Sequence, residues 1–224
     1  MNPILILACF LSLCALPTGW TAANYIDSLK AGDTAMDSGK ADLALEEFEA
    51  AVGHGVTEGE KAFARAKKAF VLSFKKKDYA AARKEVDELA KSLATLSPVA
   101  QLTVLQVLAE CQMRADRNFV GATENLEKAL ALPDVDFARP YLNLNLADCY
   151  RETGEFSKSL EASQRVLDAA GVSSPTQASA RFSMGQTYQY GLKDFEKAKQ
   201  AYAEAVKLNP GLKGSADSES AKMP

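Results

Sequence analysis

The sequence contains a single histidine, His54, among its 224 residues. This scarcity nearly excludes metal sites built on histidine, and it makes Ser-His or Cys-His catalytic pairs improbable. The sequence also has no glycine-rich phosphate loop, no nucleophile elbow and no cluster of metal-ligating residues. We therefore expect no enzyme activity, no cofactor and no metal.

The chain also carries no excess of basic residues over acidic ones. The formal net charge is -3, so no overall basic field exists to attract phosphates, and nucleic acid is not expected as a partner. Residues 24–60 carry nine acidic and two basic residues, whereas residues 61–91 carry ten basic and four acidic ones. The lysines at 67, 68 and 75–77 could bind an acidic partner. The preferred interpretation is a solvated surface that offsets the acidic stretch before it.

The first 23 residues contain neither lysine nor arginine. An apolar run, Ile4–Pro17, is followed by Thr21-Ala22-Ala23, which predicts a secretory signal cleaved near Ala23 and a periplasmic or secreted protein. The run is too short for a comfortable membrane span, although an uncleaved anchor stays open. Lipid anchoring at Cys14 is not expected, because Leu13 is too large for the position before a modified cysteine.

Cysteine is scarce as well. Two of the four cysteines fall in the predicted signal, which leaves Cys111 and Cys149. These two could form a disulfide in an oxidising compartment. The preferred alternative is that both are small, buried, apolar side chains on neighbouring helices.

What the chain does have is a repeated helical pattern, clearest near its end. Phe195, Ala198, Tyr202 and Ala205 are three or four residues apart and share one helix face. Pro210 ends that helix. One extra residue separates Tyr188, on the preceding helix, from Phe195 when this copy is compared with the others.

The same pattern occurs four more times upstream. A small residue recurs at spacings of 38, 40, 37 and 39 residues: Ala44, Ala82, Ala122, Ser159 and Ala198. Gly39 and Gly154 lie in turns, where a left-handed conformation is easy for glycine. Ser159 and Ser163 place hydroxyls where apolar residues are expected, so the fourth copy is expected to pack least well.

This helix–turn–helix pattern resembles the tetratricopeptide repeat, over about five repeats from Tyr25 to Pro210. The resemblance implies an all-α, tetratricopeptide-type α-solenoid whose helix-turn-helix repeats form a right-handed superhelix with a concave groove. The predicted organisation is a signal peptide at 1–23, a repeat domain at 24–210 and a disordered polar tail at 211–224.

In this family, the first helix of each repeat lines the groove, which implies a protein or peptide partner. The partner-facing positions carried over to this sequence are Lys67, Phe74, Arg114, Tyr141, Asp148, Arg151, Gln186 and Tyr190. The wider set adds Asp33, Met36, Asp37, Val71, Val107, Cys111, Leu144 and Phe182. An error of one residue in the alignment would move some of these into the packing between repeats. The carboxylate clamp of the chaperone-binding members is not expected, because Leu29 and Asp33 replace its Lys and Asn.

These features predict an exported scaffold or adaptor that binds a partner segment in an envelope assembly. One alternative is an accessory module of an enzyme acting on cell-wall or sugar polymers, but the dispersed carboxylates give no catalytic pair. Another is a homo-oligomer, in which the last repeat stacks on a second copy.

Overall fold

The computed structural model describes residues 18–224, and these residues form helices and connecting turns without a strand. The helices are α1 (Thr18–Asp37), α2 (Ala41–His54), α3 (Glu58–Phe70), α4 (Tyr79–Ala90), α5 (Pro98–Cys111), α6 (Phe119–Leu130), α7 (Arg139–Glu152), α8 (Phe156–Asp168), α9 (Ser174–Gln186), α10 (Phe195–Leu208) and α11 (Lys213–Ser220). Short 3-10 turns occupy Leu93–Thr95, Asp136–Ala138 and Pro210–Leu212.

Consecutive helices pack as five pairs, α1 with α2 through to α9 with α10, and each pair stacks on the next. The five small residues that recur along the sequence are all fully buried in these contacts. A single pair cannot bury its own apolar face, so each pair completes its core against its neighbours. The predicted all-α solenoid of helix-turn-helix repeats is confirmed.

Residues 1–17, with most of the predicted signal peptide and Cys14, lie outside the described residues. Cleavage, export and lipid anchoring therefore stay predictions. Of the helices that are described, none is long and apolar enough to cross a membrane.

The first helices of the second, third and fifth pairs end differently from the others. Each continues into a π-helical turn, over Val71–Lys76, Gln112–Asp116 and Thr187–Leu192. The turn closes with a hydrogen bond that spans six residues; in the second pair, for example, Asp78 N–H donates to the carbonyl of Leu72 at 2.9 Å. In the first pair, Lys40 N–H donates to Ala35, only five residues back. In three pairs, the connection between the first and the second helix is therefore one residue longer than in the other two.

The residue that follows each π-helical turn has left-handed backbone. Lys77, Arg117 and Lys193 have φ angles of 59°, 55° and 57°. In the first and fourth pairs, Gly39 and Gly154 occupy this conformation instead, as predicted. In the three pairs with a π-helical turn, the next residue caps the second helix; Asp78, for example, accepts from the backbone N–H of Ala81.

The extra residue overturns part of the predicted groove. Val71, Val107 and Cys111 are fully buried in the core rather than exposed to a partner. The alignment recognised an extra residue in the last repeat only, so in the second and third repeats it displaced the first helix by one position. A shift of one residue turns a helix by about 100°, which moves a groove residue into the core.

The possible disulfide between Cys111 and Cys149 does not form in the structure. Cys111 and Cys149 are both free and buried. They belong to different core clusters, since Cys111 packs among α3, α4 and α5 and Cys149 packs among α5 to α8. Burial raises the pKa of the Cys149 thiol to about 12. Both behave as small apolar core residues, the preferred alternative.

The segment predicted as a disordered tail is instead helical. In α11, Ala216 is buried, and Met223 beyond it packs on the cluster formed by Ala198 and Tyr202. The side chain of Gln189 donates to the carbonyl of Glu219 at 2.9 Å. This short helix thus covers the apolar face of the pair formed by α9 and α10, as capping elements of solenoids do.

Candidate protein-binding groove

The first helices of successive pairs line an elongated pocket with a cavity volume of about 570 Å³. We call it the apolar pocket. Its walls come from α1, α3, α5, the turn before α7 and the start of α7, and they include Met36, Phe70, Leu102, Thr103, Gln106 and Tyr141. An open pocket lined by apolar side chains from several repeats has room for an extended or helical segment of another protein.

Aromatic rings cross this region from the second pair to the fourth. Phe70 and Phe74 stack with their ring centroids 4.3 Å apart, and Phe74 meets Tyr141 edge-on at 5.9 Å. Phe137 lies in the pocket wall with 71% of its surface exposed. Aromatic anchors of this kind carry much of the binding energy in protein interfaces. The predicted residues Phe74 and Tyr141 are therefore in contact across α5.

Tyr141 also borders a second, smaller pocket of about 250 Å³ between α7 and α9, the polar pocket. Asn145, Asp148, Ser183 and Gln186 line it together with apolar Leu144 and Phe182. Burial raises the pKa of Tyr141 to about 12, so its phenol stays neutral and able to donate a hydrogen bond near pH 7. We use "the groove" for these two pockets and the two hollows that share Tyr141 or Gln186 with them.

Arg151 holds the polar end of the groove together. Its guanidinium donates to Asp148 at 2.7 Å, to Gln186 at 3.2 Å and to Glu152 at 3.2 Å. Burial disfavours its charge, but Asp148 and Glu152 outweigh burial and raise the pKa of Arg151. Only 14% of the side chain is exposed. Arg151 thus joins the fourth pair to the fifth, and it presents little surface of its own to a partner.

Lys67 holds the opposite end. Its ammonium group lies 2.6 Å from a carboxylate oxygen of Asp33 and within 5.7 Å of the ring centroids of Phe48 and Phe63. These contacts join α1 to α3 beside the apolar pocket. Lys67 thus lines the apolar pocket with its charge already paired.

Two further lysines of the basic stretch are paired in the same way. Lys68 bonds to Glu49 and Glu85 at 2.6 and 3.0 Å, and Lys76 bonds to Asp42 at 2.7 Å. These pairs favour the interpretation that the basic stretch offsets the acidic one before it.

The remaining predicted residues lie in the π-helical turns that extend two of the first helices. Arg114 is half exposed, with its guanidinium 3.5 Å from Glu110. The Tyr190 hydroxyl donates to Glu219 of α11, and Tyr190 lines a hollow with Arg151 and Gln186. The structure therefore brings Asp148, Arg151, Gln186 and Tyr190 together. Lys67, Phe74 and Tyr141 form a second group, and Tyr141 links the two groups because it borders both pockets. A role in binding stays a prediction for all of them.

The prediction missed Phe70, Leu102, Thr103, Gln106 and Phe137. A sequence signal for Phe70 and Gln106 existed in the turns, because these two residues directly precede Val71 and Val107. The second, third and fifth repeats read Lys77-Asp78-Tyr79, Arg117-Asn118-Phe119 and Lys193-Asp194-Phe195, while the other two have glycine at the left-handed position. Grouping the repeats by this turn would have restored the alignment.

Among the residues that the structure describes, no three His, Cys, Asp or Glu side chains are grouped so that they could hold a metal ion.

Two comparisons with known proteins agree with this architecture. Residues 137–210 match the model of the tetratricopeptide repeat family. The chain is also 31% identical over 109 residues to "Photosystem I assembly protein Ycf3" from Synechococcus sp. (strain CC9311). That alignment covers 43% of this chain and 61% of the relative's length. The fold is thus an all-α solenoid of the tetratricopeptide type, an architecture that serves as a scaffold for binding proteins.

Proposed function

We propose that this protein is an adaptor that binds a segment of a partner protein along the groove. The observation that carries the proposal is the apolar pocket, where exposed Phe137 and Val99 flank the more buried Phe70, Leu102 and Tyr141. A solvent-open pocket that combines large apolar side chains with polar neighbours is typical of a peptide-binding surface.

The adaptor would act in assembling or maintaining a larger complex. The likeness to a photosystem assembly protein supports an assembly role in general terms, and it does not specify the complex. The apolar run at Ile4–Pro17 and the small residues that follow support export to the envelope. We therefore place the proposed complex in the envelope, with the groove on the periplasmic or external side.

Self-association through the last repeat has less support than partner binding. The face that would stack on a second copy is the one that α11 covers, where Ala216 and Met223 pack near Tyr202. A second copy would have to displace this helix.

Site-specific photo-crosslinking in the native host tests the proposal. A photoreactive amino acid replaces Val99 in the apolar pocket or, as the matched control, exposed Val120 on α6, which lines no part of the groove. We expect a discrete adduct from position 99 and none from position 120. Adding Phe137→Asp should reduce the adduct, because it places a charge in the pocket wall. Equal adduct yields from positions 99 and 120 would overturn the proposal. So would an adduct yield at position 99 that Phe137→Asp leaves unchanged.

A further inference from the structure

The C-terminal segment of the chain forms part of the polar end of the groove. The turn Pro210–Leu212 follows α10, and Leu212 lies in the wall of the polar pocket beside Phe182. At the far end of α11, the Glu219 carboxylate accepts a hydrogen bond from Tyr190, which lines the neighbouring hollow. The segment therefore meets the groove at two points, one at each end of α11.

α11 is weakly built for a helix that covers a core. It has eight residues, of which only Ala216 is buried, and its sequence includes one glycine and three serines. Glycine and serine are poorer helix formers than alanine, and a helix this short is marginal without tertiary contacts. By contrast, α10 buries four residues. α11 should therefore open at a lower cost in free energy than the repeat helices.

Few polar contacts tie α11 to the repeats. Besides the bond from Tyr190, Gln189 donates to the backbone carbonyl of Glu219 at 2.9 Å. The ion pairs of the segment join Lys213 to Asp217 and Glu219 to a lysine two turns of chain away at most, so both stay within the segment. In the described part of the chain, no ion pair joins α11 to the repeats.

The surface beneath α11 is apolar and continues the groove. Ala198 and Tyr202 form a cluster with Ala216, and Phe182 packs against it. We call Ala198, Tyr202 and Phe182 the covered surface. Because Phe182 also lines the polar pocket, a segment that lies in the groove would reach the covered surface by continuing past Leu212. α11 shows what this surface accepts: a helix that places a small residue near the ring of Tyr202.

We infer that the covered surface is a further docking surface for the partner segment, and that α11 occupies it in the free protein. This inference rests on the proposed function and extends its binding site. The occupant is the part of the partner that leaves the polar pocket, as a helix with a small residue opposite Tyr202. It displaces α11, because both fill the same space. Since only the opened molecules can bind in this way, α11 lowers the apparent affinity by their fraction.

Amide hydrogen exchange of the purified full chain tests whether α11 opens by itself. At neutral pH we expect the amides of α11 to exchange at least about a hundredfold faster than those of α10, through an opening that leaves the repeats folded. Equal protection of α11 and α10 would overturn the inference, because α11 would then open only when the repeats unfold.

Photo-crosslinking in the native host tests displacement. A photoreactive amino acid replaces Ser179, which is exposed in the wall of the polar pocket. Ala216→Asp buries a charge beneath α11, so it should detach the helix and raise the adduct yield roughly three- to tenfold. Ser215→Asp is the matched control, because it adds the same charge at an exposed position of α11 and should leave the yield nearly unchanged. A lower or unchanged yield in Ala216→Asp would overturn the inference, because α11 would then be a fixed wall of the groove.

A second variant keeps the test decisive if Ala216→Asp lowers the amount of folded protein. Leu212→Ala loosens the segment at the polar pocket and should raise the yield at position 179 about twofold. Leu43→Ala makes the same change at an exposed position of α2 and should have no effect. A fall in yield that only Leu212→Ala shows would overturn the inference.

The adduct at position 99 separates this inference from the proposed function. If that adduct forms while the yield at position 179 does not respond to α11, the inference fails alone. If neither position gives an adduct, the proposed function fails, and the extension of its binding site fails with it.

Discussion

The ring of Tyr202 on α10 lies directly against the backbone of Gly185 on α9. A Cβ added to Gly185 would come 2.6 Å from Cε1 of Tyr202. The first pair repeats the arrangement, since a Cβ on Gly32 would come 2.5 Å from Cε1 of Phe48. In the pairs between them the first-helix position is Ala69, Ala109 or Ala147, and all three are buried. The close approach of the two helices thus depends on a small residue facing a large one.

Gly185→Ala should therefore destabilise the fold. Alanine is the better helix former by about 1 kcal/mol, but overpacking against a buried ring costs about 1–3 kcal/mol, so we expect a net loss of about 1 kcal/mol. Chemical denaturation measures the change. Gly53→Ala is the matched control, because a Cβ there meets nothing within 4 Å, and it should raise stability by about 0.5–1 kcal/mol. A stabilised Gly185→Ala would contradict the packing described.

The sequence predicted the second helices far better than the surface of the first ones. The recurring small residues, from Ala44 to Ala198, are set by helix–helix contact, which leaves a strong periodic pattern. Groove residues such as Gln106 are not fixed by helix–helix contact, so the sequence identifies them only by the number of residues that separate them from the turn. The extra residue before Tyr79 and Phe119 changes that distance without disturbing the core pattern.

The C-terminal helix was missed for a related physical reason. Its sequence is small and polar, and it has no apolar stripe that could drive folding alone. The helix is stabilised by its contacts with the last pair, where it packs near Tyr202 and accepts a hydrogen bond from Gln189. The local composition of the segment does not predict a helix that depends on tertiary contacts in this way.

Two buried serines of α8 should respond in opposite ways to alanine. The Ser163 hydroxyl is buried without a hydrogen-bond partner in the described structure, so Ser163→Ala should raise stability by about 1 kcal/mol. Ser159 bonds to the carbonyl of Ala147 at 2.7 Å and to the Thr187 hydroxyl at 2.8 Å. Ser159→Ala should therefore lower stability by about 1–2 kcal/mol. Urea unfolding of the two variants measures both, and equal effects would show that the hydroxyls are equivalent.

The left-handed turns predict another pair of opposite effects. Lys193 is exposed with a φ of 57°, a conformation that costs a non-glycine residue about 1–2 kcal/mol. Lys193→Gly should relieve this cost and, after the added chain entropy, stabilise the protein by about 0.5–1 kcal/mol. The reciprocal change, Gly154→Lys at a φ of 83°, should destabilise it by about 1 kcal/mol. Thermal unfolding under identical conditions compares the stabilities of the two variants. If both variants are less stable than the parent protein, backbone conformation does not explain the effect.

Attachment of α11 should depend on acid pH through Glu219. Burial disfavours its charge, but hydrogen bonds from Lys222 and Tyr190 outweigh burial and lower the pKa of Glu219 below its ordinary value of 4.5. A carboxylate with a lowered folded pKa contributes stability above its unfolded pKa and loses it as the pH falls through the folded value. We therefore expect α11 to detach increasingly below about pH 4.5.

The NMR signal of the Ala216 methyl group, which is buried only while α11 is attached, reports this detachment. Glu219→Gln is the control, because it keeps the shape and removes the titrating charge. Its Ala216 signal should change less with pH between neutral and acid conditions. An unchanged pH profile in Glu219→Gln would assign the effect to other carboxylates.

The two core thiols should be unreactive in the folded protein. Burial raises the pKa of Cys149 to about 12 and also raises that of Cys111, so neither forms much thiolate near pH 8. Iodoacetamide should leave both unmodified in the native chain and label both after unfolding in guanidinium without a reductant. Mass spectrometry of the peptides that contain each cysteine gives the result. If unfolding without reductant leaves both unlabelled and added reductant restores labelling, the cysteines are bonded, and the packing of Cys111 and Cys149 in separate clusters is wrong.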